Sequence, residues 1–149
     1  MIRVLLAEDQ AMVRGALAAL LCLEADIVVV AEVARGDEIV PIALTTQPDV
    51  AIVDIELPGQ NGLDAARMLQ EHLPSCRVVI ATTFAQSGYL HRAMVSGAVG
   101  FLLKEAPAAA LADALRRVMA GERVVDPELA LAALRSYLKI AKFKPNGHM

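Results

Sequence analysis

The sequence predicts an α/β protein: one five-stranded parallel sheet covered on both faces by five helices. Three observations carry that prediction. Short apolar runs rich in β-branched residues alternate with segments of helical periodicity at tight spacing. The third run, Val50–Val53, is apolar throughout, as a strand buried on both faces must be. It then ends in an acid, Asp54, followed by the turn signals Pro58-Gly59 and Asn61-Gly62. Open α/β sheets hold their ligands at such strand ends.

Ile2–Ala7 reads as the first strand. Ala11–Leu23 reads as the first helix, with Met12, Ala16, Leu20 and Leu23 at its 3.6 period. Ile27–Val33 is β-branched again, and Gly36–Thr46 is helical until Pro48 stops it. Leu63–Leu73 follows the third strand as a helix closed by Pro74, and Arg77–Thr82 gives the fourth strand. Ser87–Ser96 is the fourth helix, with Gly97 suited to a left-handed cap. Gly100–Leu103 is a short fifth strand. Pro107 fits the first turn of a fifth helix that runs to about Ala120 and ends at Gly121. Right-handed crossovers then favour a flavodoxin-like sheet of order 2-1-3-4-5, whose switch point lies between strands 1 and 3.

The 149 residues suffice for one domain with a real core and a short extension, divided here at 1–120 and 121–149. Residues 1–134 carry 10 basic and 17 acidic side chains, a net −7, whereas Arg135, Lys139, Lys142 and Lys144 give 135–149 a net +4. The main part is therefore not read as a nucleic-acid binder. In the tail, Leu131, Leu134, Leu138 and Ala141 form one stripe of a basic amphipathic helix, expected to dock on a neighbour. Cys22 and Cys76 form no metal-ligand spacing and are expected to be reduced core residues. Glu8 and Asp9 interrupt any signal-peptide core, and no apolar run is long enough to span a bilayer, so the expected location is cytoplasmic, with no membrane partner. His72 and His91 are expected at the surface.

Glu8 and Asp9 follow strand 1 and Asp54 ends strand 3, so three carboxylates flank the crevice. Like charges at short range call for a counter-ion, and an all-oxygen donor set suits Mg²⁺. Lys104, after strand 5, is placed to reach the same rim, and Thr82, ending strand 4, can donate to a phosphoryl oxygen, with Thr83 its competitor. A carboxylate nucleophile, a metal, a fixed cation and a donor are what phosphoryl transfer to an aspartate needs. Backbone groups at Glu56 and the Pro58-Gly59 turn are candidates to complete the metal shell.

On these residues the chain resembles the response-regulator receiver domains, the CheY-like modules of two-component systems. The resemblance rests on "LLAEDQ", "VDIELPGQNGLDA", "IATTFA" and "GAVGFLLKEAP", in the family's order, over residues 2 to about 120. It implies that Asp54 accepts a phosphoryl group from a phosphohistidine of a sensor histidine kinase. It implies a Mg²⁺ site of Glu8, Asp9, Asp54 and the Glu56 carbonyl, with Glu8 acting through water. Thr82 and Lys104 would contact the phosphoryl, and Thr82 and Phe101 would be the switch positions. "EDQAMVRGAL", "TTFAQSGYLHRAM" and "GERVVDPELALAAL" are similar to the NarL/FixJ subgroup, and within it to DesR-type regulators. Such a protein dimerises on phosphorylation, through helices 1 and 5 or 4 and 5, and binds DNA with a C-terminal helix-turn-helix.

The sequence departs from that pattern in three ways. Glu105 follows Lys104 where many receivers have proline, which leaves a cis bond there open. Phe101 stands where tyrosine is frequent. After Leu134 the chain reads "RSYLKIAKFKPNGHM", so it is expected to stop short of the DNA-binding module, with Asn146–Met149 a cloning remnant. Glu56 and Phe84 flank the expected path of a water for slow self-hydrolysis, and no turnover enzyme is expected. The alternatives are a dehalogenase-type phosphatase, a flavin-binding flavodoxin-like protein, and a receiver acting by protein contacts alone. In the first the nucleophile would follow strand 1, and in the second Glu8-Asp9-Gln10 would repel a phosphate.

Overall fold

The computed structural model describes residues 1–83 and 90–143. Its elements alternate as β1 (Ile2–Ala7), α1 (Ala11–Cys22), β2 (Ile27–Val33), α2 (Ile39–Thr46), β3 (Val50–Asp54), α3 (Gly62–His72), β4 (Arg77–Thr82), α4 (Leu90–Val95), β5 (Gly100–Leu103), α5 (Ala108–Met119), β6 (Val124–Val125) and α6 (Pro127–Phe143). The sheet is parallel with order β2-β1-β3-β4-β5-β6. The expected order is present, extended by one strand. Two-residue β6 pairs Val124 with Gly100 and Val125 with Phe101, and so short a segment carries no alternation to read. The packed sheet thus continues past residue 120.

Successive strand residues face opposite sides, and the core divides accordingly. Leu5, Ala51, Val53, Val78, Ile80 and Phe101 join a cluster with residues of α2, α3 and α4. Val4, Leu6, Ile52, Val79 and Leu102 join another with residues of α1 and α5. Every β3 residue is buried, which explains why that strand reads as an uninterrupted apolar run.

Several local expectations are corrected. The stripe Met12, Ala16, Leu20, Leu23 faces outward, with Met12 89% exposed, whereas Leu17, Ala18 and Leu21 pack on the core. Apart from Arg14 the α1 segment carries apolar residues on both faces, so its period shows a helix without showing which face is buried. Cys22 is exposed and only Cys76 is buried. The segment from Gly36 opens as a 3-10 turn, Gly36–Glu38, before α2. Gln47 caps α2 in the left-handed region at φ 51, where its side-chain amide donates to the Leu44 carbonyl at 2.9 Å. The described part of α4 begins at Leu90; its expected start at Ser87, like Phe84, lies outside the described residues, as does the tail Asn146–Met149. No cis peptide bond occurs among the described residues. Leu131, Leu134 and Leu138 are exposed, and α6 docks on α4 and β5 through buried Leu129 instead. No helix among the described residues is long and apolar enough to cross a membrane.

Candidate functional site

The carboxyl ends of β1, β3, β4 and β5 meet at one rim. Glu8 continues β1, its backbone N–H donating to the Val33 carbonyl at 3.0 Å. Asp54 is the last residue of β3 and Thr82 the last of β4. Lys104 follows β5 and is tied to β4 by its N–H, which donates to the Thr82 carbonyl at 2.7 Å. Glu8, Asp54 and Thr82 are only 1%, 7% and 3% exposed, while Asp9 faces solvent.

Oxygens of Glu8, Asp9 and Asp54 lie within 4.8 Å of one another. The Lys104 ammonium donates to Asp54 Oδ2 at 2.9 Å and also to Glu8 Oε1. Gln10 N–H donates to the second Glu8 oxygen at 2.9 Å, and Arg14 binds the Glu8 carbonyl at 2.7 Å. Burial raises the Asp54 carboxyl above the usual range; Lys104 opposes this and the Asp9 charge adds to it. Burial works against the Lys104 ammonium, but the hydrogen bonds and charges of Glu8 and Asp54 outweigh it and hold the group above its ordinary value. One cation shared by two buried acids leaves negative charge in excess, the condition that recruits a divalent ion.

Beside these acids opens a cleft of about 410 Å³ lined by Asp9, Ile55, Glu56, Leu57, Pro58 and Asn61. Its loop is held by close backbone approaches. A Cβ on Gly62 would lie 1.9 Å from the Asp54 carbonyl oxygen, and one on Gly36 1.7 Å from the Gln60 carbonyl. Gly36 N–H donates to the Pro58 carbonyl at 3.0 Å, joining the turn before α2 to this loop. Asn61 caps α3, its Oδ1 accepting from Leu63 N at 2.7 Å and Asp64 N at 3.2 Å.

The structure therefore gathers Glu8, Asp9, Asp54, Thr82 and Lys104 at one rim, with exposed Glu56 on the adjoining cleft and Phe101 fully buried in β5. Sequence reasoning did not anticipate the bond between Lys104 and Glu8, which joins residues 96 apart. It also read Asn61-Gly62 as a turn signal alone, although Asn before an apolar helix is equally an N-cap signal.

A family model described as the response regulator receiver domain matches residues 4–116. The chain belongs to that family. The transcriptional regulatory protein DesR of Bacillus subtilis (strain 168) is 47% identical over 129 residues, 87% of this chain and 64% of that protein. The uncharacterized transcriptional regulatory protein YvfU of the same organism is 44% identical over 135 residues, 91% of this chain and 68% of that protein. The receiver thus spans about two thirds of the length of these relatives. Among solved structures, a LuxR-family two-component response regulator from Aurantimonas sp. SI85-9A1 matches with a TM-score of 0.84 at 29% identity, covering 91% of this chain and 97% of that one. ChrA, a response regulator of a haem-sensing two-component system, matches with a TM-score of 0.79 at 37% identity, covering 91% and 65%. Both curated relatives are named as transcriptional regulatory proteins, and both solved neighbours as response regulators of two-component systems.

Proposed function

We propose that Asp54 is the phosphoacceptor of this receiver, acting in the cytoplasm, and that a phosphohistidine of a sensor histidine kinase is the donor. The observation that carries the reading is the placement of the Lys104 ammonium on Asp54 and Glu8, with Asp9 completing an all-oxygen group. An Asp54 oxygen attacks phosphorus as the P–N bond breaks, and the electron pair of that bond returns to the imidazole nitrogen. Lys104 moves toward the arriving phosphoryl oxygens, and Thr82 donates its hydroxyl to them. Glu8, Asp9, Asp54 and the Glu56 carbonyl would hold Mg²⁺, whose contribution when bound is to neutralise charge on the phosphoryl oxygens and the acids.

Since catalysis here is positioning and neutralisation, the acyl phosphate stores the signal. Thr82 and Phe101 report it, the ring repacking as the hydroxyl is drawn to the phosphoryl group. A helix face then gains affinity for a second receiver, and two C-terminal helix-turn-helix modules, outside this chain, meet paired DNA half-sites to regulate transcription. α6, which follows β6 at the sheet edge, leads toward that module. Glu56 faces the cleft and, with Phe84, sets the rate at which water returns the receiver to its resting form.

Intact mass after treatment with acetyl phosphate and Mg²⁺ tests the reading. The parent chain should gain one phosphoryl group and Asp54→Ala none. Equal gain in both, or gain in neither, overturns it.

A further inference from the structure

The segment after α5 is built into the strand that carries the switch candidate. Val124 N–H donates to the Val99 carbonyl at 2.9 Å, and Asp126 N–H donates to the Phe101 carbonyl at 2.8 Å. Asp126 Oδ1 in turn accepts from Glu128 N at 2.9 Å and, at longer range, from Leu129 N at 3.4 Å. That is N-cap geometry, with Pro127 in the first helical position. One residue therefore grips β5 with its backbone and starts α6 with its side chain. Leu129, in that first turn, is 1% exposed and joins the cluster that contains Phe101, Leu103 and the α4 residue Ala93.

We propose that Asp126 is a positioning residue that couples α6 to the acceptor site: by capping α6 and seating Leu129 beside the Phe101 cluster, it makes helix docking and phosphorylation of Asp54 mutually dependent. The inference rests on the receiver reading above. Lys104 lies three residues beyond Phe101, and in the arrangement observed it is bonded to Glu8 and Asp54 while α6 is docked. A phosphoryl group on Asp54 competes with Glu8 for that ammonium. Turning Lys104 shifts the carboxyl end of β5, and the shift reaches α6 by two routes, the Phe101 carbonyl and the shared cluster. Packed cores answer such a shift by exchanging one discrete arrangement for another. Docking of α6 is thus disfavoured when Lys104 is drawn to phosphoryl, and by linkage a loosened α6 favours the phosphorylated site by the same factor.

Hydrogen exchange in the presence of Mg²⁺, with and without beryllofluoride as the phosphoryl analogue, tests this on the whole chain. In the parent, beryllofluoride should speed exchange of the α6 amides several-fold while protecting residues 54–62. Asp126→Ala should exchange fast in α6 without the analogue and bind it roughly five-fold more tightly. Leu129→Ala should behave likewise, and Asp126→Asn, which keeps a cap oxygen, should behave as the parent. Unchanged or slowed α6 exchange in a parent whose residues 54–62 are protected overturns the coupling and leaves the receiver reading intact, as does parent-like affinity in both Asp126→Ala and Leu129→Ala. No protection at 54–62, together with no phosphoryl gain from acetyl phosphate, overturns both.

Discussion

Lys104 and Asp54 are bonded at 2.9 Å across the width of an intervening strand, since β4 separates β3 from β5. The ammonium spans the rim because β4 and β5 end level, Thr82 opposite Leu103, and the lysine stem is long enough to pass over Thr82. It compensates two acids that are almost wholly buried. Removing one partner of such a set leaves uncompensated charge out of water, which costs about 3–5 kcal/mol. Lys104→Met should therefore lower the unfolding free energy by about 3 kcal/mol in metal-free buffer, read from urea denaturation. Asp54→Asn relieves a crowded acid instead and should leave stability equal or higher. A Lys104→Met chain as stable as the parent would show that the acids reach water or another cation without it.

A divalent ion bound by Glu8, Asp9 and Asp54 must stabilise the folded chain by mass action, since the unfolded chain does not hold three oxygens within 4.8 Å. At an ion concentration about 100 times the dissociation constant the gain is about 2.7 kcal/mol. Mg²⁺ should raise the parent's unfolding midpoint accordingly and EDTA should reverse it, whereas Asp9→Asn and Asp54→Asn should respond much less. An equal response in all three chains would place the ion elsewhere.

The parts legible in the sequence are those written in local pattern. Buried parallel strands give unbroken apolar runs, so β3 and the acid at its end were readable, as were β1, β4 and the residues that follow each strand. The rest depends on tertiary choices. The outward face of α1 holds as many apolar residues as its inward face, so Met12 could not be told from Leu21 by period. β6 is two residues long and exists because β5 offers an open edge. Cys22 lies one residue after buried Leu21, and a single step round a helix turns a side chain from core to solvent. The element order places Lys104 on the rim with Glu8 and Asp54, but that its ammonium bonds Glu8 depends on two loops from distant parts of the chain.

Gly62 and Gly15 make opposite demands on the same substitution. A Cβ at Gly62 would sit 1.9 Å from the Asp54 carbonyl oxygen, a backbone atom with no room to retreat, whereas one at Gly15 meets nothing within 4 Å. Gly62→Ala should destabilise by about 1–3 kcal/mol and displace the acceptor strand end, slowing phosphoryl uptake. Gly15→Ala lies in the interior of α1 and should stabilise by about 0.5–1 kcal/mol with uptake unchanged. Thermal unfolding and acetyl phosphate labelling of the two variants together check both signs.

The two cysteines should separate cleanly by reactivity. Burial, with Asp49 nearby, pushes the Cys76 thiol up to about 12, so at pH 8 only roughly one molecule in 10⁴ carries its thiolate. Cys22 is exposed at the end of α1. A thiol reagent should modify one sulfur per native chain and two in denaturant, and Cys22→Ser should abolish the native reaction. Rapid modification of both in the native chain would mean that the β4 end of the core opens readily.

Arg116 on α5 clasps Asp26 through two 2.8 Å bonds and Glu24 through one of 2.6 Å, tying the α1–β2 loop to the helix. The Arg116 hydrogen bonds lower the Asp26 carboxyl from 3.8 to about 2. A depressed folded-state value means that the unfolded chain takes up its proton first as acid is added. The contribution of Asp26 is thus fully present above about pH 4 and disappears as the pH falls toward 2. Asp26→Asn should consequently lower the urea midpoint at neutral pH, with the difference from the parent narrowing below pH 4. The groups are exposed, so the effect is small and should shrink further in high salt. A gap between the two chains that stays constant from neutral pH down to pH 3 would assign the loss to packing or hydrogen bonding by the side chain rather than to its charge.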